Sequence, residues 1–208
     1  QGESNIGHPD YAKRLATMVN IWRDMWKQGD LPFYQVEIAP YDYGNNIIGA
    51  LLREEQFKAQ AIIKNCGMIS TNDLVEPFES HQIHPKNKKS VGERLAFMAL
   101  NDTYGHKNIG CRGPEYKSME IKGNQAMIYF NNAENGFNRW SGFEGFEIAG
   151  SDKKFYPATA GMGRGCIVVS APEVPEPVAV RYCFKNFQIG NLTNLHQLPA
   201  VPFRTDNW

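Results

Sequence analysis

Apolar and polar positions follow two different periods along the chain, and the change from one to the other divides it. In "PDYAKRLATMVNIWRDMWKQGD", Leu15, Met18, Trp22, Met25 and Trp26 recur at three-to-four spacing. That spacing predicts a helix with one buried face, Pro9 as an early residue and Gly29 as the stop. "LPFYQVEIAP" reads as a short, largely buried strand, "IIGALLREEQFKAQAIIKN" as a second amphipathic helix and "CGMIST" as a second strand. "HPKNKKSVGERLAFMALNDTYG" predicts a third helix, with Pro85 at its start and Val91, Leu95, Met98 and Ala99 turned inward. Helices alternating with buried strands imply an α/β region built on a parallel sheet with crossover helices.

From about Gly113 the texture changes. "YKSMEIKG", "QAMIYFNN", "FEIAGSDKKFYPATA", "GCIVVSAP" and "VAVRYCFKNF" are short strand patterns separated by Gly, Asn and Pro turns. "IKGNQAMIYF" and "AGSDKKFYPA" each read as a hairpin. Residues 113–208 are therefore expected to form an all-β, sandwich-like module, with the boundary near "HKNIGCRGPE" and the α/β region over 1–108.

Composition narrows the function classes. The 208 residues carry 22 basic and 22 acidic side chains and no basic run interleaved with aromatics, which argues against nucleic acid and anionic membranes as partners. No apolar stretch approaches the roughly 18 residues of a membrane span. Cys66, Cys111, Cys166 and Cys183 are scattered without a CxxC pair, so they read as buried small hydrophobes, not as a zinc site or redox dithiol.

In α/β proteins, ligands bind beyond the carboxyl ends of the parallel strands. Two polar stretches belong there: "QGESN", ahead of the first helix, and "NDLVEPFESHQIHP", between the second strand and the third helix. Both are expected to open on one sheet edge. His84, just before Pro85, can present an imidazole suited to general-base work, or can equally be a capping or solvent-exposed histidine. His81 has the same two readings. The pair lacks helical metal-ligand spacing. Asp73, Glu76 and Glu79 line the same loop, each able to orient a histidine or simply to be solvated. In "NGFNRWSGFEGF", Phe137, Trp140 and Phe143 can stack on sugar rings or pack in a core.

"QGESN", "LPFYQVEIAPYDY", "LREEQ" and "IHPKNKKSVGERLA", in that order, resemble the sialate O-acetylesterase family of the SGNH/GDSL serine esterases. The ending "GFEIAGSDKKFYPA" to "LPAVPFRTDNW" resembles that family's accessory β-domain. The resemblance implies part of an SGNH-hydrolase-like parallel three-layer α/β/α domain, and hydrolysis of acetyl esters on sugars. It implies a periplasmic or secreted bacterial enzyme, with no metal or organic cofactor. Acetylesterase action on plant polysaccharide, or sugar binding without catalysis, are the alternatives.

By the same resemblance His84 is the base, and Gln1 and Gly2 contribute to the oxyanion hole, with Glu3 organising that block. The serine block of the family lies far upstream of "QGES". Ser4, Ser70, Ser80 and Ser90 do not fit the nucleophile, so the chain is expected to be the carboxyl-terminal portion of a longer esterase whose remaining part is its partner. Many relatives carry Asp two or three residues before the histidine, where Gln82 and His81 stand here. The acid partner is then Glu79, Asp73, the Gln82 carbonyl or a main-chain carbonyl.

Overall fold

The computed structural model describes residues 2–208. The chain divides into two units, Gln1–Cys111 with Lys185–Phe187, and Arg112–Phe184 with Gln188–Trp208. Lys185–Phe187, which the sequence pattern leaves in the β-region, thus belongs to the first unit.

The first unit is mixed α/β. It runs α1 (Tyr11–Trp26), β1 (Phe33–Val36), α2 (Ile48–Ile62), β2 (Cys66–Ile69) and α3 (Lys89–Met98), the last continuing into a π-helical turn over Ala99–Thr103. β1 and β2 are parallel, from Phe33 opposite Cys66 to Val36 opposite Ile69, with α2 as the crossover. Side chains alternate across a strand. Phe33 joins the cluster of Leu15, Val19, Leu52 and Ala59 from α1 and α2. Tyr34 and Val36 join Ile69, Met98 and Leu95 on the α3 side. Gly67 in β2 allows this close packing, because a Cβ there would stand 2.2 Å from Met98 Sδ.

The helix pattern holds but its buried face differs. The row that packs inward is Tyr11, Ala12, Leu15, Val19 and Arg23. Trp22, Met25 and Trp26 are 40%, 72% and 58% exposed. Arg23 is buried because its guanidinium donates to the carbonyls of Leu31 and, at 2.7 Å, Lys64, which ties the end of α1 to the approach to β2. Trp22 instead stacks on Trp26 at 6.2 Å and lies 6.3 Å from Phe33 of β1. Among the described residues β1 pairs with β2 alone, so its other edge is open beside this apolar stripe.

Lys185–Phe187 closes the start of α2. Helix N-termini leave orphan N–H groups. Here the Asn186 Oδ1 accepts from Gly49 N at 2.8 Å, while its amide donates to Gly44 O and Asn46 Oδ1. Asn46 Oδ1 in turn accepts from Ile48 N. Arg53, 2% exposed, donates to the main-chain carbonyls of Asn186 and Lys185.

The second unit holds β3 (Glu115–Lys122), β4 (Gln125–Asn131), β5 (Phe146–Ala149), β6 (Phe155–Pro157), β7 (Thr159–Met162), β8 (Ile167–Ser170), β9 (Ala179–Tyr182) and β10 (Phe203–Arg204). They form two antiparallel sheets, ordered β3-β4-β8-β7 and β10-β9-β5-β6. Residues of both meet in one core that includes Ile128, Val169, Ile148 and Tyr182. Both expected hairpins form. Lys122 pairs with Gln125 around Gly123, whose φ of 59° fits a tight two-residue turn, and Ala149 pairs with Phe155. The four cysteines are free, three buried and Cys66 half-buried.

Candidate active site

Three segments of the first unit build a cavity of about 310 Å³: the turn Glu3–Asn5, the residues following β1, and the long connection from β2 to α3. Glu3, Glu37, Thr71, Leu74, His84 and Val91 are among its lining residues. "QGES" and "IHP" therefore open on the same cavity. Gln1 lies outside the described residues.

Gly2 leads into the turn with φ 130°, and a Cβ there would stand 2.9 Å from the Tyr11 hydroxyl oxygen. Glycine is required on both grounds. The charge of Glu3 reaches two phenols, Tyr11 and Tyr43, whose pKa values are raised first by burial and then by this carboxylate.

The connection from β2 is held by the two carboxylates that sequence ranks as acid partners of His84. Asp73 forms a two-pronged pair with Arg94 of α3, Oδ1 to Nη1 2.8 Å and Oδ2 to Nη2 2.5 Å. Arg94 Nη1 also donates to Ser70 O. Glu79 is buried, its Oε2 accepting from Glu76 N at 2.9 Å and its Oε1 from Lys86 N at 3.1 Å. These main-chain donors lower the Glu79 pKa. With the Glu76 side chain it forms a capping box around the 3-10 turn Pro77–Glu79.

Among the described residues neither carboxylate bonds to His84. Gln82 Oε1 accepts from the main-chain N–H of His84 at 3.2 Å and so shapes the backbone without touching the ring. The His84 imidazole is exposed at the cavity mouth behind buried Pro85. His81 points elsewhere, 4.0 Å from Asp42 and edge-on to Tyr41. Asp42 N donates to Ser80 O, joining the loops that follow the two strands.

Glu37, which sequence reasoning passed over, lies at the end of β1 and is 1% exposed. Its Oε2 accepts from Thr71 N at 3.0 Å, while Oε1 has no hydrogen-bond partner among the described residues. Burial pushes its pKa up to about 7, against the pull of the Arg53 charge and the Thr71 N–H, with Asp73 adding to the rise. A lone acid inside an otherwise apolar strand run, "VEIAP", was the available signal. A second cavity, of about 500 Å³, runs along the open edge of β1 and is lined by Tyr11, Met18, Trp22, Phe33 and Gln56.

A parallel strand pair, a histidine and an acidic turn thus share one cavity at the strand ends. Residues 1–101 match the family model for carbohydrate esterase, sialic acid-specific acetylesterase. Over 97% of its length the chain is similar to the crystal structure of XAC1771, a carbohydrate acetylesterase from Xanthomonas citri, with 34% identity and a TM-score of 0.85. It spans 47% of that relative's length. No curated protein matches the sequence.

Proposed function

We propose that the chain forms part of a carbohydrate O-acetylesterase that removes acetyl groups from sialic acid or related sugars, with His84 as its general base. The observation that carries this reading is the shared cavity of Glu3 and His84. A serine supplied by polypeptide beyond the 208 residues attacks the acetyl carbonyl and passes its proton to the His84 imidazole. The Gln1–Gly2 block donates hydrogen bonds to the resulting oxyanion. The histidine then protonates the departing sugar oxygen, and water releases acetate from the acyl-enzyme by the same steps. Because Asp73 and Glu79 are engaged elsewhere, His84 works in a serine–histidine pair without either of them as its acid partner.

Three further features support the need for more polypeptide: the open edge of β1, the exposed Trp22–Trp26 stripe, and the 47% coverage of the relative. A neighbouring strand and helix there would complete a three-layer α/β/α SGNH-like domain. The two-sided covering of β1 and β2 by α1–α2 and by α3 fits it. A periplasmic or secreted site of action suits a glycan substrate.

The test is hydrolysis of O-acetylated sialic acid and of an activated acetyl ester. The longer protein should turn over both, and His84→Ala should abolish both. The 208 residues alone should be inactive; full activity in them, lost on a single substitution within them, would overturn the reading.

A second reading rests on Trp140, 78% exposed between the buried anchors Phe137 and Phe143. Trp140 O accepts from Met162 N at 2.7 Å, which holds the backbone of the loop while the exposed indole is open to a sugar ring. Glycan binding by the chain that Trp140→Ala removes, with no esterase activity in the longer protein, would favour a binding module.

A further inference from the structure

Among the described residues of the first unit, side-chain atoms that are buried without a hydrogen-bond partner gather behind the proposed site. They include Glu37 Oε1, Ser70 Oγ and both amide atoms of Asn72. Buried polar groups are almost always paired, so such a concentration calls for a physical cause. These groups lie at the ends of β1 and β2, beside the cavity that Glu3 and His84 line.

We propose that Glu37 is a positioning residue of this site: one proton, gained or lost at its buried carboxyl, resets the hydrogen bonding of the 70–73 segment that walls the cavity. The catalytic consequence rests on the esterase reading; the proton-dependent contact does not. The Oε2 of Glu37 meets the Thr71 N–H, a donor in either state, so the proton resides on Oε1. Ionised, Oε1 needs a donor; protonated, it needs an acceptor. The Ser70 hydroxyl, whose nearness favours the ionised form, can be either by rotating about its C–O bond.

The charged groups that face the carboxyl come from two elements. Arg53 of α2 favours ionisation, and Asp73 of the 70–73 segment opposes it. Asp73 is itself held by Arg94 of α3, whose Nη1 also donates to Ser70 O. Thr71 is tied to the end of β1 a second time, its hydroxyl donating to Glu37 O and Ile38 O. A change at Glu37 is thus delivered to the segment through Ser70 and Thr71. Burial, which pushes the Glu37 carboxyl up to about 7, brings the change to the pH range where an esterase would use it.

The experiment is a titration of the 208-residue chain by amide and carboxyl-carbon NMR from about pH 4 to about pH 9, a range that includes the ordinary glutamate and histidine values. The Thr71 amide should move together with a glutamate carboxyl at a shared midpoint near neutrality, and Glu37→Gln should abolish the movement. If that variant does not fold, Ser70→Ala keeps the carboxyl and should raise the midpoint by about half a unit, since a donor to the ionised form is lost. A Thr71 amide that stays still, that still moves in Glu37→Gln, or whose midpoint is unchanged in Ser70→Ala overturns the proposal. These readings need no hydrolysis, so they are independent of the esterase assay. In the active longer protein, Glu37→Gln should remove the limb of the kcat–pH profile with that midpoint; a retained limb overturns the positioning role while the esterase reading stands.

Discussion

The Asp73 carboxylate and the Arg94 guanidinium face each other in a two-pronged ion pair, 2.8 and 2.5 Å between the bonded atoms. The Arg94 side chain is 9% exposed and that of Asp73 21%. Removing one partner of a largely buried pair leaves the other charge unmatched. Asp73→Asn should therefore lower stability by about 3 kcal/mol in urea unfolding. Any loss of activity in that variant should come with this loss of stability. Unchanged unfolding would show that the pair contributes nothing to the fold.

Glu79 fills both its oxygens with main-chain donors, Glu76 N and Lys86 N. Glutamine has one acceptor oxygen and would turn an N–H₂ toward one of those donors. Glu79→Gln should speed amide exchange at Glu76 or Lys86 by about tenfold, the scale of one lost hydrogen bond. Protection unchanged at both amides would refute the bracing role.

Glu37 also sets a direction for stability against pH. Its folded pKa is raised to about 7, so the folded chain holds this proton where the unfolded chain has released it. The contribution is fully present below the ordinary carboxylate value and is lost as pH rises through the folded value. Across that window its slope is up to about 1.4 kcal/mol per pH unit. Urea unfolding at about pH 5, 6 and 7 should show a steeper fall in the wild type than in Glu37→Gln. Parallel profiles would exclude a raised pKa at this residue.

Gly2→Ala combines an unfavourable backbone conformation with a collision. At φ 130° the new Cβ would stand 2.9 Å from the Tyr11 hydroxyl and 3.0 Å from its Cε2. The substitution should cost about 1–3 kcal/mol and displace the Tyr11 ring. A melting temperature equal to that of the wild type, with Tyr11 in place, would contradict this.

The parallel strand pair was legible because "LPFYQVEIAP" and "CGMIST" are short apolar runs flanking a helical pattern. The hairpin at Gly123 was legible from its turn chemistry. The buried face of α1 was not. An apolar stripe reports that burial is favourable but not which surface supplies it, and Tyr11, Val19 and Arg23 claim the core ahead of Trp22 and Met25. At the site, the two motifs announced a common opening. The commitments of Asp73 and Glu79 were hidden, one because Arg94 lies 21 residues away, the other because a three-residue turn decides where the carboxylate points. The burial of Glu37 depends on contacts with α2 and the segment after β2, which no local pattern records.

The cap that Asn186 places on α2 bears on how the polypeptide matures as it is made. Arg53 and the carbonyl it reaches on Asn186 are 133 positions apart. The ribosome therefore completes α1 through α3 well before it supplies the residue that satisfies Gly49. At about 5–20 residues per second, synthesis from the end of the α/β segment to Asn186 takes on the order of ten seconds. During that interval Gly49 N and the Arg53 guanidinium lack the acceptors that Lys185 and Asn186 later bring. Its last hydrogen bonds form after most of the β-strands have emerged, so maturation of a unit that begins first in the sequence finishes late in translation.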